Sequence, residues 1–169
     1  MNISLPSPSA QAAPVHVLHG QTMGTTWSVQ YTSPSRIDPH ALHDAIQARL
    51  DELVAQMSTW EADADIMRFN RCAAGEWFVL RDDMLQVLMV ALDIASRSDG
   101  AFDPTVSPLV AAWGFGAHAH GRGRPTPAAL VEARSRVGWQ HLRLDAAPRR
   151  VRQPGGVMLD LSAIAKGYG

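Results

Sequence analysis

The stretch from Asp38 to Met57 constrains the fold more than any other. Asp38 followed by Pro39 pairs an N-cap with proline at the first helical position, and Leu42, Ile46, Leu50, Leu53 and Met57 then recur at helical spacing. This predicts an amphipathic helix from about Asp38 to Gln56, and such a helix is stable only when its apolar face is covered. A second long run, "RDDMLQVLMVALDIASRSDG", repeats the pattern with Leu85, Leu88, Leu92 and Ala95 on one face and Gly100 as its stop.

Between and around these helices the sequence reads as short strands. Val15 to Leu18 and Thr25 to Tyr31 suggest a hairpin with Gly20 or Gly24 at the turn, and "EWFVL" (Glu76 to Leu80) a further strand. "EADADIMRFN" reads as a short helix with Asp63 and Asp65 as N-cap residues. Thr126-Pro127 opens a third helix that runs to Gly138, and "HLRLD", "RVRQ" and "VMLDL" follow as successive strands. No regular βαβ rhythm appears, so the expected class is α+β, with mixed or antiparallel sheets packed against helices. Residues 1–14 read as a flexible tail rich in Ser, Pro and Ala, and 15–169 as one structural unit.

Composition narrows the function classes. The 169 residues are 46 % hydrophobic and 18 % charged, a globular balance, and the net charge of −1 leaves no bulk electrostatic case for nucleic acid. No apolar run reaches the roughly eighteen residues of a membrane span. The single cysteine, Cys72, excludes an internal disulfide and any paired-cysteine metal or redox motif.

Several local clusters can carry chemistry, each with a bland counterpart. In "MGTTWSV", Met23-Gly24 is either a ligand-approach point or simply a hairpin turn. Trp60 is a stacking platform or a core side chain. Asp103, before Pro104, either aims its oxygens at a ligand or satisfies local backbone in an Asx turn. His118 and His120 read as a solvated loop, since no third ligand stands at a metal spacing. Asp160 is the lone charge in an apolar run ahead of Ser162, where a helix begins. Its segment either converges with Ala163 and Lys166 on a phosphate at that helix N-terminus or forms an Asp160–Lys166 ion pair in the core.

Taken in order, "MGTTWSV", "MSTWEADADIMRFN", "AFDPTVSPLVAAWGFG" and "LDLSAIAKGYG" resemble the ApbE family, the FAD:protein FMN transferases, over about Gln21 to Gly169. The resemblance implies an ApbE-like, T-fold-like architecture. It implies an enzyme that cleaves the pyrophosphate of FAD with Mg2+ and attaches FMN to a Thr or Ser of a target flavoprotein. By the same resemblance Met23 and Trp60 flank the flavin ring, and Ala101, Phe102 and Asp103 form the FAD-binding tripeptide. Asp160 and Lys166 match FAD-contacting positions, and Ala163 a metal ligand acting through its backbone carbonyl.

Members of that family are roughly twice this length, beyond ordinary loop variation. The chain is therefore expected to be an N-terminal half, with the catalytic residues and remaining metal ligands in a C-terminal half and no activity alone. A non-catalytic flavin-binding module is the alternative, and a remnant that does not fold a third reading. Relatives are often exported and lipid-anchored, so an envelope location follows from the resemblance alone; the N-terminus shows neither a signal sequence nor a lipobox cysteine.

Overall fold

The computed structural model describes residues 14–33, 37–119 and 123–169. The elements run β1 (Val15–Thr22), β2 (Thr25–Thr32), α1 (Pro39–Met57), α2 (Asp65–Asn70), β3 (Trp77–Val79), α3 (Asp82–Arg97), α4 (Ser107–Ala112), α5 (Pro127–Ser135), a 3-10 turn (Trp139–His141), β4 (Arg143–Asp145), β5 (Arg150–Arg152) and α6 (Ser162–Tyr168). Helices and antiparallel sheets are mixed without a βαβ repeat, as the α+β reading requires. Where the sequence suggests one unit, the contacts cluster in two, Met1–Ala48 and Arg49–Gly169. The expected tail falls almost wholly outside the described residues.

In the first unit β1 and β2 form an antiparallel hairpin in register from Val15↔Thr32 to Thr22↔Thr25. Its two-residue turn is Met23-Gly24, with φ of 51° and 71°, the paired positive values that a tight hairpin turn demands. Gly20 lies inside β1 opposite Trp27, whose ring covers it so closely that a Cβ there would meet the indole at 2.4 Å. The opening turns of α1 are tied to this hairpin. Trp27 Nε1 donates to Gln47 Oε1 at 3.1 Å and Gln47 Nε2 to the Gln21 carbonyl at 3.1 Å. Asp38 caps α1 by accepting from the His40 amide at 2.9 Å, the role its place before Pro39 forecasts.

In the second unit, α1 residues Leu50, Leu53 and Met57 and α3 residues Met84, Leu85, Val87, Leu88, Ala91 and Ala95 are buried. They share the core with Ile66 and Phe69 of α2, Val151 of β5, and Leu159 and Leu161. The three-stranded sheet has the order β3-β5-β4, antiparallel throughout. Phe78 on β3 meets Phe69 edge-on at 6.2 Å between ring centres. Cys72 is half-buried; burial first, and then Glu76, push its thiol pKa up, which leaves it a poor nucleophile.

Two local expectations are corrected. Asp63 and Asp65 do not cap α2: the cap position is Ala64, with no side-chain bond, and Asp63 is exposed. Asp65 is instead buried, where its carboxylate is held by Arg81 at 2.6 Å and Arg68 at 3.4 Å, since a charge out of water needs partners. "VMLDL" is not a strand of any sheet. The alternation does mark burial, with Val157, Leu159 and Leu161 inside. Mostly side chains, not a neighbouring strand, serve its backbone: Asn70 Oδ1 accepts from the Leu159 amide at 2.7 Å, Asn70 Nδ2 donates to the Leu159 carbonyl at 3.0 Å, and Gln153 Nε2 donates to the Val157 carbonyl at 3.1 Å.

Asp83 binds several elements of this unit together. Its carboxylate accepts from both terminal nitrogens of Arg49 and from Gln56 Nε2 at 2.9 Å, and the Tyr168 hydroxyl lies 2.8 Å away. The Arg49 guanidinium above all holds its pKa well below the ordinary 3.8. A depressed carboxylate pKa means the unfolded chain takes up the proton more readily, so the stabilisation is full above the ordinary value and drains away as pH falls below it. Asp83→Asn is expected to cost on the order of 1–2 kcal/mol at pH 7 and clearly less near pH 2. Urea midpoints at the two pH values check this; equal losses at both would contradict it.

Candidate functional site

A cleft of about 470 Å³ opens in the second unit, lined by Gly100, Ala101, Phe102, Asp103, Val106, Leu109, Arg134, Val137, Gly138, Gln140, Asp160 and Ala163. Four stretches build it. The loop after α3 brings residues 100–103, α4 and its lead-in bring Val106 and Leu109, the end of α5 and the 3-10 turn after it bring Arg134, Val137, Gly138 and Gln140, and the entry to α6 brings Asp160 and Ala163. The Asp160 amide donates to the Pro104 carbonyl at 2.8 Å, and this bond joins two of the stretches directly.

The Asp103 loop is rigid for reasons readable atom by atom. Asp103 Oδ1 accepts from the Thr105 amide at 2.8 Å and from Thr105 Oγ1 at 2.7 Å, which is the Asx turn held open in the sequence. Thr105, fully buried, accepts in turn from the Gly138 amide at 2.8 Å, and Asp103 Oδ2 accepts from the Trp139 amide at 3.3 Å. A carboxylate has about four lone-pair positions. Among the described residues the fold uses both on Oδ1 and one on Oδ2, which leaves one Oδ2 position for a ligand donor.

The entry to α6 differs from the reading of an open phosphate cradle. Asp160 Oδ1 accepts from the Ser162 amide at 2.9 Å, and the Leu161 carbonyl accepts from the Ile164 and Ala165 amides. Only the Ala163 amide among these first four has no such partner among the described residues. The alternative, an Asp160–Lys166 ion pair, does not form either: Asp160 is half-buried at the cleft wall, while Lys166 is exposed further along α6.

The structure thus gathers Ala101, Phe102, Asp103, Asp160 and Ala163 around one cleft. Trp60 and Lys166 belong to the same unit but not to its lining. Trp60 is 73 % exposed just beyond α1. Met23, half-buried in the hairpin turn, belongs to the first unit. His118 is half-buried, with a buried Nε2 that has no partner, rather than solvated in a loop; His120 lies outside the described residues.

Sequence reasoning missed Arg134 and Gln140. Arg134 brings an exposed guanidinium to the cleft and forms no ion pair among the described residues. No motif marks either residue; only the Thr126-Pro127 helix start, which fixes where α5 ends, points that way.

For a magnesium ion the described residues fall short. That ion takes a near-octahedral set of about six oxygens. Ala163 and the Asp103 and Asp160 carboxylates line the cleft, and no group of three or more His, Cys, Asp or Glu able to hold a metal occurs among the described residues.

Comparison with known proteins gives a consistent picture. The model of the ApbE family matches residues 23–169. An FAD:protein FMN transferase of Klebsiella pneumoniae is 34 % identical over 98 % of this chain and 48 % of its own length. That of Vibrio cholerae is 37 % identical over 94 % of this chain and 47 % of its own. Among solved structures, the flavin transferase ApbE from Vibrio cholerae superimposes with a TM-score of 0.88 at 34 % identity, covering 93 % of this chain and 51 % of that one. The apo form of the Pseudomonas stutzeri flavinyl transferase ApbE gives 0.85, with coverage of 92 % and 52 %. The chain spans about half the length of the relatives it matches.

Proposed function

The chain belongs to the ApbE family, and from that premise we propose that its cleft is the flavin-binding portion of an FAD:protein FMN transferase. The observation that carries this reading is the convergence of Ala101, Phe102 and Asp103 with Asp160 and Ala163 on one cleft, tied by the bond from the Asp160 amide to the Pro104 carbonyl. Asp103, with its free Oδ2 position, and Asp160 accept from N–H and hydroxyl donors of FAD. Trp60 contributes an aromatic face to the isoalloxazine. Arg134, without an ion pair among the described residues, supplies charge of the sign a pyrophosphate needs at the same cleft. Lys166 supplies a second such charge from α6.

In the reaction so assigned, a Thr or Ser hydroxyl oxygen of a target flavoprotein forms a bond to the FMN phosphorus of FAD. The bond from that phosphorus to the bridging oxygen breaks, AMP leaves, and the hydroxyl proton is released. Magnesium enters this proposal from the family resemblance alone, and no step is assigned to it on the donors of this chain. The 169 residues alone are expected to bind FAD without transferring FMN.

The test is titration of the purified chain with FAD, followed by flavin fluorescence. Trp60→Ala and Asp160→Asn are each expected to raise the dissociation constant about tenfold, near 1.4 kcal/mol. A chain that is folded by circular dichroism but leaves flavin fluorescence unchanged at high micromolar FAD would overturn the assignment.

A further inference from the structure

Behind the cleft lies a second, much smaller cavity of about 10 Å³. Its polar lining comes from three separate places: Thr59 just after α1, Ser107 at the first position of α4, and His118 after the glycine-punctuated exit of α4. Its remaining polar wall is Asp160, which faces the large cleft as well. Val110, Ala111 and Phe115 supply apolar wall.

The polar groups at this cavity are unserved by the protein. Thr59 is 6 % exposed and Ser107 5 %, yet neither hydroxyl has a hydrogen-bond partner among the described residues. His118 Nε2 is buried and also without one. Asp160 commits Oδ1 to the Ser162 amide, and Oδ2 has no protein partner among the described residues. Buried polar groups are paired in nearly every native structure, by protein or by ordered water. A cavity near 10 Å³ with two to four polar neighbours is the size and chemistry that hold a single water.

We propose that Thr59, Ser107 and His118 are positioning residues for Asp160, holding one buried water that donates to its carboxylate and fixes its orientation at the wall of the flavin cleft. The water donates one proton to Asp160 and accepts from a hydroxyl or from His118 Nε2, whose role follows its tautomer. No covalent step is involved. The consequence for flavin binding rests on the reading of the large cleft given above, whereas the water and the orientation of Asp160 do not depend on it.

Thr59→Val keeps the shape and removes the hydroxyl; Thr59→Ser keeps the hydroxyl. Thr59→Val is expected to weaken FAD binding about five- to tenfold while Thr59→Ser stays within about twofold of the parent, a rescue that side-chain volume alone would not produce. In an Asp160→Asn background, Thr59→Val should add less than about twofold, because the carboxylate it orients is gone. High-resolution crystal structures of the parent and Thr59→Val are read alongside. The parent is expected to show one water within hydrogen-bonding distance of Thr59 Oγ1 and Asp160, and the variant to lose it with the Asp160 carboxylate turned. A dry cavity in the parent, an unturned Asp160 in the variant, or full additivity of the two substitutions would overturn the proposal. The water in the parent and the turned carboxylate in the variant, with no FAD binding by the parent, would uphold the positioning role and overturn the flavin reading.

Discussion

Leu159→Ala should lower the melting temperature by about 8–16 °C. Leu159 has no exposed surface, so the substitution removes buried methyl groups and leaves a cavity that its neighbours only partly fill, a loss of about 4 kcal/mol. The segment around it amplifies the effect. Its backbone is held by the Asn70 side chain, and both bonds of that pair need Leu159 seated inward. A calorimetric scan decides the matter, and a shift under about 3 °C would show that Leu159 is not packed as described. Because the neighbouring Asp160 depends on the same segment, FAD affinity should fall together with stability.

Thr105→Val carries the second large effect. The valine fits the space, but the Asp103 carboxylate loses one hydrogen bond and the Gly138 amide, in a buried residue, loses its acceptor. An unpaired buried donor together with a weakened charged bond amounts to roughly 2–4 kcal/mol. Thr105→Ser should retain most of it. Urea titration of the three proteins separates these outcomes, and coincident midpoints for valine and parent would show that the hydroxyl contributes nothing.

What the sequence reveals is what neighbours in the chain decide among themselves. The Asp38-Pro39 cap and the repeat from Leu42 to Met57 place α1 within one residue at either end, and Thr126-Pro127 places the start of α5 as well, with the Thr126 hydroxyl accepting from the Ala129 amide. Such signals act within a turn or two of helix. "VMLDL" shows the boundary of this legibility: its alternation states which side chains are buried and is silent on what bonds its backbone. Asp65 misleads for a related reason, since its partner Arg81 belongs to a different element.

The candidate site was legible as residues and not as a place. The resemblance names Ala101, Phe102, Asp103, Asp160 and Ala163, and their shared cleft depends on the bond between Asp160 and Pro104, far apart in the chain. Arg134 and Gln140 enter only through where α5 stops. Thr59 stands inside a quoted motif, yet nothing local distinguishes a buried hydroxyl awaiting a partner from an exposed one.

The pairing of Asn70 with Leu159 also sets an order of events during synthesis. Its two groups are 89 residues apart, and the chain leaves the ribosome at about 5–20 residues per second. For several seconds α2 stands translated while the backbone its asparagine will hold does not yet exist. The hairpin and α1 have all their local bonds by then, but the wall carrying Asp160 does not. The cleft is therefore among the last features of this chain to form, and nascent chains arrested before residue 159 should carry α1 to α5 without the pocket.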